Sequence, residues 1–219
     1  MALSYHKQID ETTAFGVWRI EETAEELYSQ LQLNDEEKAY LETLNNGKRN
    51  LHWLSTRVLL RKMLNTEEYI DCQVDEHGKP YLVNFPHHIS LSHSFEYAAV
   101  MVSKDRPVGI DIELVKTKIE RVAKKFLSPA ELGFIDSNKR ISHLYICWCA
   151  KEAIYKLQGK KNVSFKDHIR LEEFPCESEG SLKAKLEADQ ECRFFDVSYE
   201  SFNDYMIGYV AACKELIYE

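Results

Sequence analysis

The sequence predicts an α+β protein made of two similar halves packed as an intramolecular pseudo-dimer. A length of 219 residues suits two units of roughly 100 residues each. Two helical stretches share one spacing, Trp53, Arg57 and Arg61 in the first half and Trp148, Glu152 and Lys156 in the second. Each half also holds an apolar strand, Tyr97–Val102 and Met206–Ala212. Asp105-Arg106-Pro107 is the best boundary, which gives halves of 1–105 and 106–219.

Thr13–Ile20 reads as the first strand. Asn34-Asp35-Glu36-Glu37 opens a helix, with an acceptor side chain at the cap and a glutamate three residues on. A basic helix covers Lys48–Arg61, and Gly78-Lys79-Pro80 marks a turn. Ile89–Ser94 and Tyr97–Val102 read as two short strands. Past the boundary, Val108–Val115 alternates strictly and reads as a strand. Ser128-Pro129-Ala130-Glu131 combines a serine cap, a first-turn proline and a capping-box glutamate. A long helix runs from about Ser142 to Gln158 and stops at Gly159. The alternating tail ends in a strand over Tyr205–Ala212.

Composition narrows the function. Hydrophobic residues make up 44% of the chain, and no apolar run approaches the ~18 residues of a membrane span. Met1–Lys7 lacks the layout of a signal peptide. The six cysteines include no CxxC pair and read as reduced thiols, so the expected setting is the cytoplasm. A net charge of −8 disfavours nucleic acid as a partner but leaves room for a local basic pocket around one phosphorylated ligand.

The chemistry begins in Val108–Leu114. Asp111 and Glu113 share a strand face with Gly109, about 7 Å apart along the chain, and can both offer oxygens to a hard cation. On their own they read more readily as the solvated face of an edge strand. The helix Leu144–Leu157 is apolar on nearly every side and is interrupted only by Lys151, Glu152 and Lys156. Such a helix is buried, and its charges need partners. Glu152 and Lys156 can pair with each other at helical spacing, or serve as a third metal carboxylate and a phosphate-binding cation. Lys79 in its turn and His93 among Ser90, Ser92 and Ser94 could form an anion-binding rim, although a lone histidine in a strand is more often a core or surface residue than a ligand. Lys48, Arg49 and Arg57 add positive charge, while Arg61 reads as a solvated helix residue.

Gly109–Glu113, Phe126–Glu131 and Trp148–Lys156 resemble, in order, the signatures of the 4′-phosphopantetheinyl transferase superfamily. Gly78-Lys79-Pro80, Ser90–Ser94 and the helix carrying Trp53, Leu54 and Arg57 are similar to further motifs of its long, pseudo-dimeric, surfactin-synthetase-activating branch. The matches span roughly residues 48 to 160, and the motifs together in this order are highly specific. The resemblance implies that fold, and transfer of the 4′-phosphopantetheine arm of coenzyme A to a carrier-protein serine by a cytoplasmic monomer. It implies magnesium held by Asp111, Glu113 and Glu152, with Lys156 at the transferred phosphate. Lys79, Ser92 and His93 would contact the nucleotide phosphates, His93 at the 3′-phosphate, with Arg57 and the Lys48-Arg49 pair joining the clamp. Glu152, a bound water or another carboxylate could act as the base. Glu131 is explained by its capping box. Cys149 and Ala150 depart from the small polar residue and the hydroxyl residue common at these places, and His52 sits at a variable one.

Two other classes use the same residues. A magnesium-dependent phosphodiester hydrolase would leave the Gly78–Pro80 and Ser92–Ser94 segments without a purpose. An inactive carrier-binding module would not need an intact carboxylate set.

Overall fold

Alternating apolar residues build the first sheet. In a computed structural model, which describes residues 3–44, 47–188 and 190–213, the chain divides into two units. One comprises Met1–Asp75 and Pro80–Asp105, the other Glu76–Lys79 and Arg106–Glu219. The N-terminal reading rests partly on Met1 and Ala2, which lie outside the described residues.

In the first unit β1 (Leu3–Gln8), β2 (Thr13–Arg19), β5 (His88–Ser94) and β6 (Tyr97–Ser103) form an antiparallel sheet in the order β1-β2-β6-β5. Between β2 and the later strands the chain forms three helices, α1 (Ala24–Tyr28), α2 (Asp35–Thr43) and α3 (Lys48–Leu64). Asn34 caps α2 as expected, accepting from Glu37 N while the Glu37 side chain accepts from Asn34 N. The core joins Leu54, Val58 and Leu59 of α3 to Ala98, Val100 and Val102, alternate residues of β6. The short hairpin of β3 (Cys72–Val74) and β4 (Pro80–Leu82) was not expected. Its Gly78 has a φ of +86°, a conformation that favours glycine. Arg61 departs from its reading as a solvated residue. It is buried, and its guanidinium donates to the backbone carbonyls of Glu67 and Glu68 past the end of α3.

The second unit repeats the plan. β7 (Val108–Leu114) leads through a 3-10 turn (Thr117–Arg121) and α4 (Ala123–Phe126) into α5 (Pro129–Gly133) and the long α6 (Arg140–Gln158). Then come β8 (Ile169–Leu171), β9 (Glu179–Ala188), β10 (Glu191–Phe202) and β11 (Tyr205–Ala211), in the order β7-β11-β10-β9-β8. In both units the strand that precedes the helices pairs antiparallel with the last described strand, which pairs with the one before it: β2-β6-β5 and β7-β11-β10. One long helix covers each sheet, so the predicted α+β class and the similarity of the halves hold. Gly159, φ +77°, ends α6 as expected. Among the described residues, no helix is long and apolar enough to cross a membrane.

Candidate active site

Two glycines let α6 settle onto its sheet. On β7, a Cβ added to Gly109 would lie 1.9 Å from the carbonyl oxygen of Ala153. On β11, a Cβ added to Gly208 would lie 2.8 Å from both C and Cβ of Cys149. Cys149 and Ala153 are one turn apart, and Gly208 is the register partner of Asp111. The helix backbone therefore rests on bare strand backbone. That close approach brings the polar side of α6 level with Asp111 and Glu113.

The charges of α6 turn to the strand. Lys156 Nζ donates to Asp111 Oδ1 at 2.7 Å and to the Ile110 carbonyl at 3.0 Å. Asp111 is buried, which removes the reading of a solvated strand face. Glu152 lies in the same field, its carboxyl pushed up to about 7 by burial and by the Asp111 and Glu113 charges, while Lys156 pulls the other way. So Asp111, Glu113 and Glu152 do share one neighbourhood. Among the described residues no three His, Cys, Asp or Glu side chains are arranged to hold a metal ion. The donor chemistry nevertheless fits a hard cation: the three groups offer only oxygen, and the repulsion that raises Glu152 is what a divalent ion relieves.

Lys151 has a different task. Its side chain is wholly buried, and Nζ donates to the carbonyls of Phe126, Phe165 and Ile169 at 2.9, 2.9 and 2.8 Å. It also meets Glu131 Oε1 at 2.7 Å. Glu131 in turn accepts from the Leu171 and Ser128 amides at 3.0 and 2.7 Å. The pair ties α5, α6 and β8 together, and both oxygens of Glu131 are engaged. Glu131 is structural, and the capping box explains only part of its role. The Lys151 contact joins residues distant in sequence and had no local signal.

The family model of the 4′-phosphopantetheinyl transferase superfamily matches residues 107–210, from the start of β7 into β11. Over that segment the chain is similar to the superfamily. It is 35% identical over 91 residues to a 4′-phosphopantetheinyl transferase of Bacillus subtilis, covering 40% of each chain. It is 34% identical over 111 residues to the 4′-phosphopantetheinyl transferase gsp of Aneurinibacillus migulanus, covering 49% of this chain and 46% of that one. A solved holo-[acyl-carrier-protein] synthase of Thermotoga maritima shares 21% identity over 49% of this chain and 64% of its own, with a TM-score of 0.34. The chain spans about half the length, or less, of the curated relatives it matches.

The superfamily segment contains Asp111, Glu113, Glu152 and Lys156, while the other predicted site residues lie outside it. Lys79 belongs to the second unit, where its Nζ donates to the Leu157 carbonyl at the end of α6. In the first unit His93 is exposed and stacks on His52, ring centroids 4.2 Å apart. His52 Nε2 is 2.8 Å from the Phe95 carbonyl, and Lys48 Nζ sits 5.6 Å from the centre of the Phe95 ring. His52 lies one turn after Lys48 on α3. Ser92 is buried in β5. Arg57 lies over Trp53, 4.7 Å from the ring centre.

Proposed function

We propose that this chain is a magnesium-dependent, holo-[acyl-carrier-protein] synthase-type transferase. It moves the 4′-phosphopantetheine arm of coenzyme A to a serine of an acyl or peptidyl carrier protein and releases adenosine 3′,5′-bisphosphate. The observation that supports this reading is the grouping of Asp111, Glu113, Glu152 and Lys156 at one end of α6, inside the superfamily segment.

In the reaction, the serine oxygen forms a bond to the phosphorus that carries the pantetheine. The bond from that phosphorus to the bridging oxygen breaks, and the nucleotide leaves with the bridging oxygen. Asp111, Glu113 and Glu152 would hold magnesium, which when bound neutralises pyrophosphate charge. The Lys156 ammonium, fixed by Asp111 and the Ile110 carbonyl, sets a positive charge at the transferred phosphate, where negative charge spreads over the non-bridging oxygens. The serine proton passes to a base, for which Glu152 is the candidate among the chain's own residues. We assign nucleotide contacts to Lys79, Ser92, His93 and Arg57. In this division of labour, 1–105 contributes mainly to nucleotide binding and 106–219 carries the metal and the chemistry.

Incubation with coenzyme A, magnesium and an apo carrier protein, read by intact mass, tests the proposal. The carrier should gain about 340 Da, the mass of the transferred arm. No gain with several carriers, together with hydrolysis of a phosphodiester, would sink it.

A further inference from the structure

The last turn of α6 is held from two directions. A Cβ added to Gly109 would lie 3.0 Å from the Leu157 amide nitrogen, so bare β7 backbone lies against the turn on one side. The other restraint comes from Glu76–Lys79, the short piece of chain that the second unit draws from the first half of the sequence. Lys79 Nζ donates to the Leu157 carbonyl, and Lys161 Nζ, just past the helix, donates to the Glu76 carbonyl at 3.0 Å. Gly159 makes room for this. It takes the left-handed conformation that ends the helix, with φ +77°, and a Cβ there would lie 2.6 Å from Lys79 Cδ. The last four carbonyls of a helix lack partners further along it and carry the negative end of its dipole. The Gly159 amide donates to that of Tyr155 at 3.0 Å. Lys156, the basic residue of the last turn, turns its ammonium to Asp111 and the Ile110 carbonyl. The Leu157 carbonyl takes its cation from Lys79.

We propose that Lys79 is a positioning residue for Lys156: its ammonium caps the C-terminal end of α6 and holds the last turn, with Lys156, against β7. The inference rests on the transferase reading above, in which Lys156 faces the transferred phosphate, and adds a task for Lys79. Helix ends open before helix middles do, and Lys156 sits one residue before the capped carbonyl. Each opening carries its ammonium away from Asp111. An ammonium has three N–H donors, so capping and a nucleotide contact are compatible in one residue.

Two measurements on the full chain test this. The first is amide hydrogen exchange over the peptide around Tyr155–Gly159, read by mass with no substrate present. Lys79→Met keeps an unbranched stem without the charge, and it should speed exchange there roughly fivefold or more while peptides of β9 and β10 keep the parental rate. Lys79→Arg, which retains a cation with N–H donors, should recover most of the protection. The second is carrier modification at saturating coenzyme A, where nucleotide affinity no longer limits the rate. Lys79→Met should lower kcat there by about tenfold or more, because the charge at the transferred phosphate is displaced. A lysine that served the nucleotide alone would instead raise KM for coenzyme A and leave kcat and exchange at parental values, and that result overturns the proposal. So does faster exchange with an unchanged kcat, since the helix end would then open without displacing Lys156. If the parent chain modifies no carrier, the transferase reading fails. The exchange rates, which need no substrate, then still decide whether Lys79 caps α6.

Discussion

Lys151 is a cation without access to water, and its surroundings dictate what its loss would do. Three carbonyls and Glu131 hold it, although burial draws its pKa below the usual lysine value. Lys151→Ala leaves Glu131 buried and uncompensated. We expect a loss of about 3–5 kcal/mol in urea unfolding, the range for breaking a buried pair from one side. Asp111 and Glu152 answer to a different assay: Asp111→Ala and Glu152→Ala should each abolish carrier modification in the intact-mass experiment at ordinary magnesium. Full transfer in either variant refutes the assigned metal site. His143 supplies a pH signature. It is buried against Phe134 and Phe174, Nδ1 accepts from the Asp136 amide, and burial lowers its pKa while Asp136 opposes the shift. Below the ordinary histidine value of about 6.5 the unfolded chain takes up a proton that the folded chain resists. Stability is therefore complete above that pH and declines as pH falls through it toward the lower folded value. Urea midpoints measured from neutral to mildly acidic pH should fall less steeply in His143→Gln.

At the level of elements, the glycine contacts separate tolerant sites from intolerant ones. A Cβ at Gly16 would meet the Met63 sulfur at 2.7 Å, the far part of a flexible side chain that can move aside. At Gly109 the obstacle is the backbone of α6, which cannot move without carrying Glu152 and Lys156 with it. Gly109→Ala should lower the thermal midpoint well beyond Gly16→Ala and lose transfer activity even below that midpoint. Equal effects of the two substitutions would show that helix and sheet accommodate the methyl. Elements governed by local chemistry were legible in the sequence. Asn34 and Ser128 announce their helices through capping boxes, and Gly159 announces the end of α6. The strands β8, β9 and β10 were not individually legible, because their pattern of exposure is set by the partner strand and the helix above. Gly109 stood out beside two carboxylates. Gly208, doing the same work in a wholly apolar strand, drew no attention, although a glycine inside such a strand is itself a sign of close backbone approach.

For the whole molecule, the repeated plan was visible as a Trp-centred spacing on two helices and an apolar strand in each half, and it proves to be a shared strand order. The distribution of thiols gives a test at this scale. Cys192 and Cys213 are exposed, whereas Cys147, Cys149 and Cys176 are buried. Brief alkylation of the native chain should modify the first two, and the buried three only after denaturation, as read by peptide mass. Rapid native labelling of Cys147 or Cys149 would contradict the packing of α6.

The pairing of β7 with β11 also bears on how the protein comes into being. Asp111 and Glu113 emerge at the start of the second unit, but the strand that shelters them is the last in it. Almost the whole unit must be synthesised before that ladder can close, and such long-range closure slows folding. The carboxylates are thus ordinary solvated side chains until that ladder closes, and they reach their folded setting in one late step.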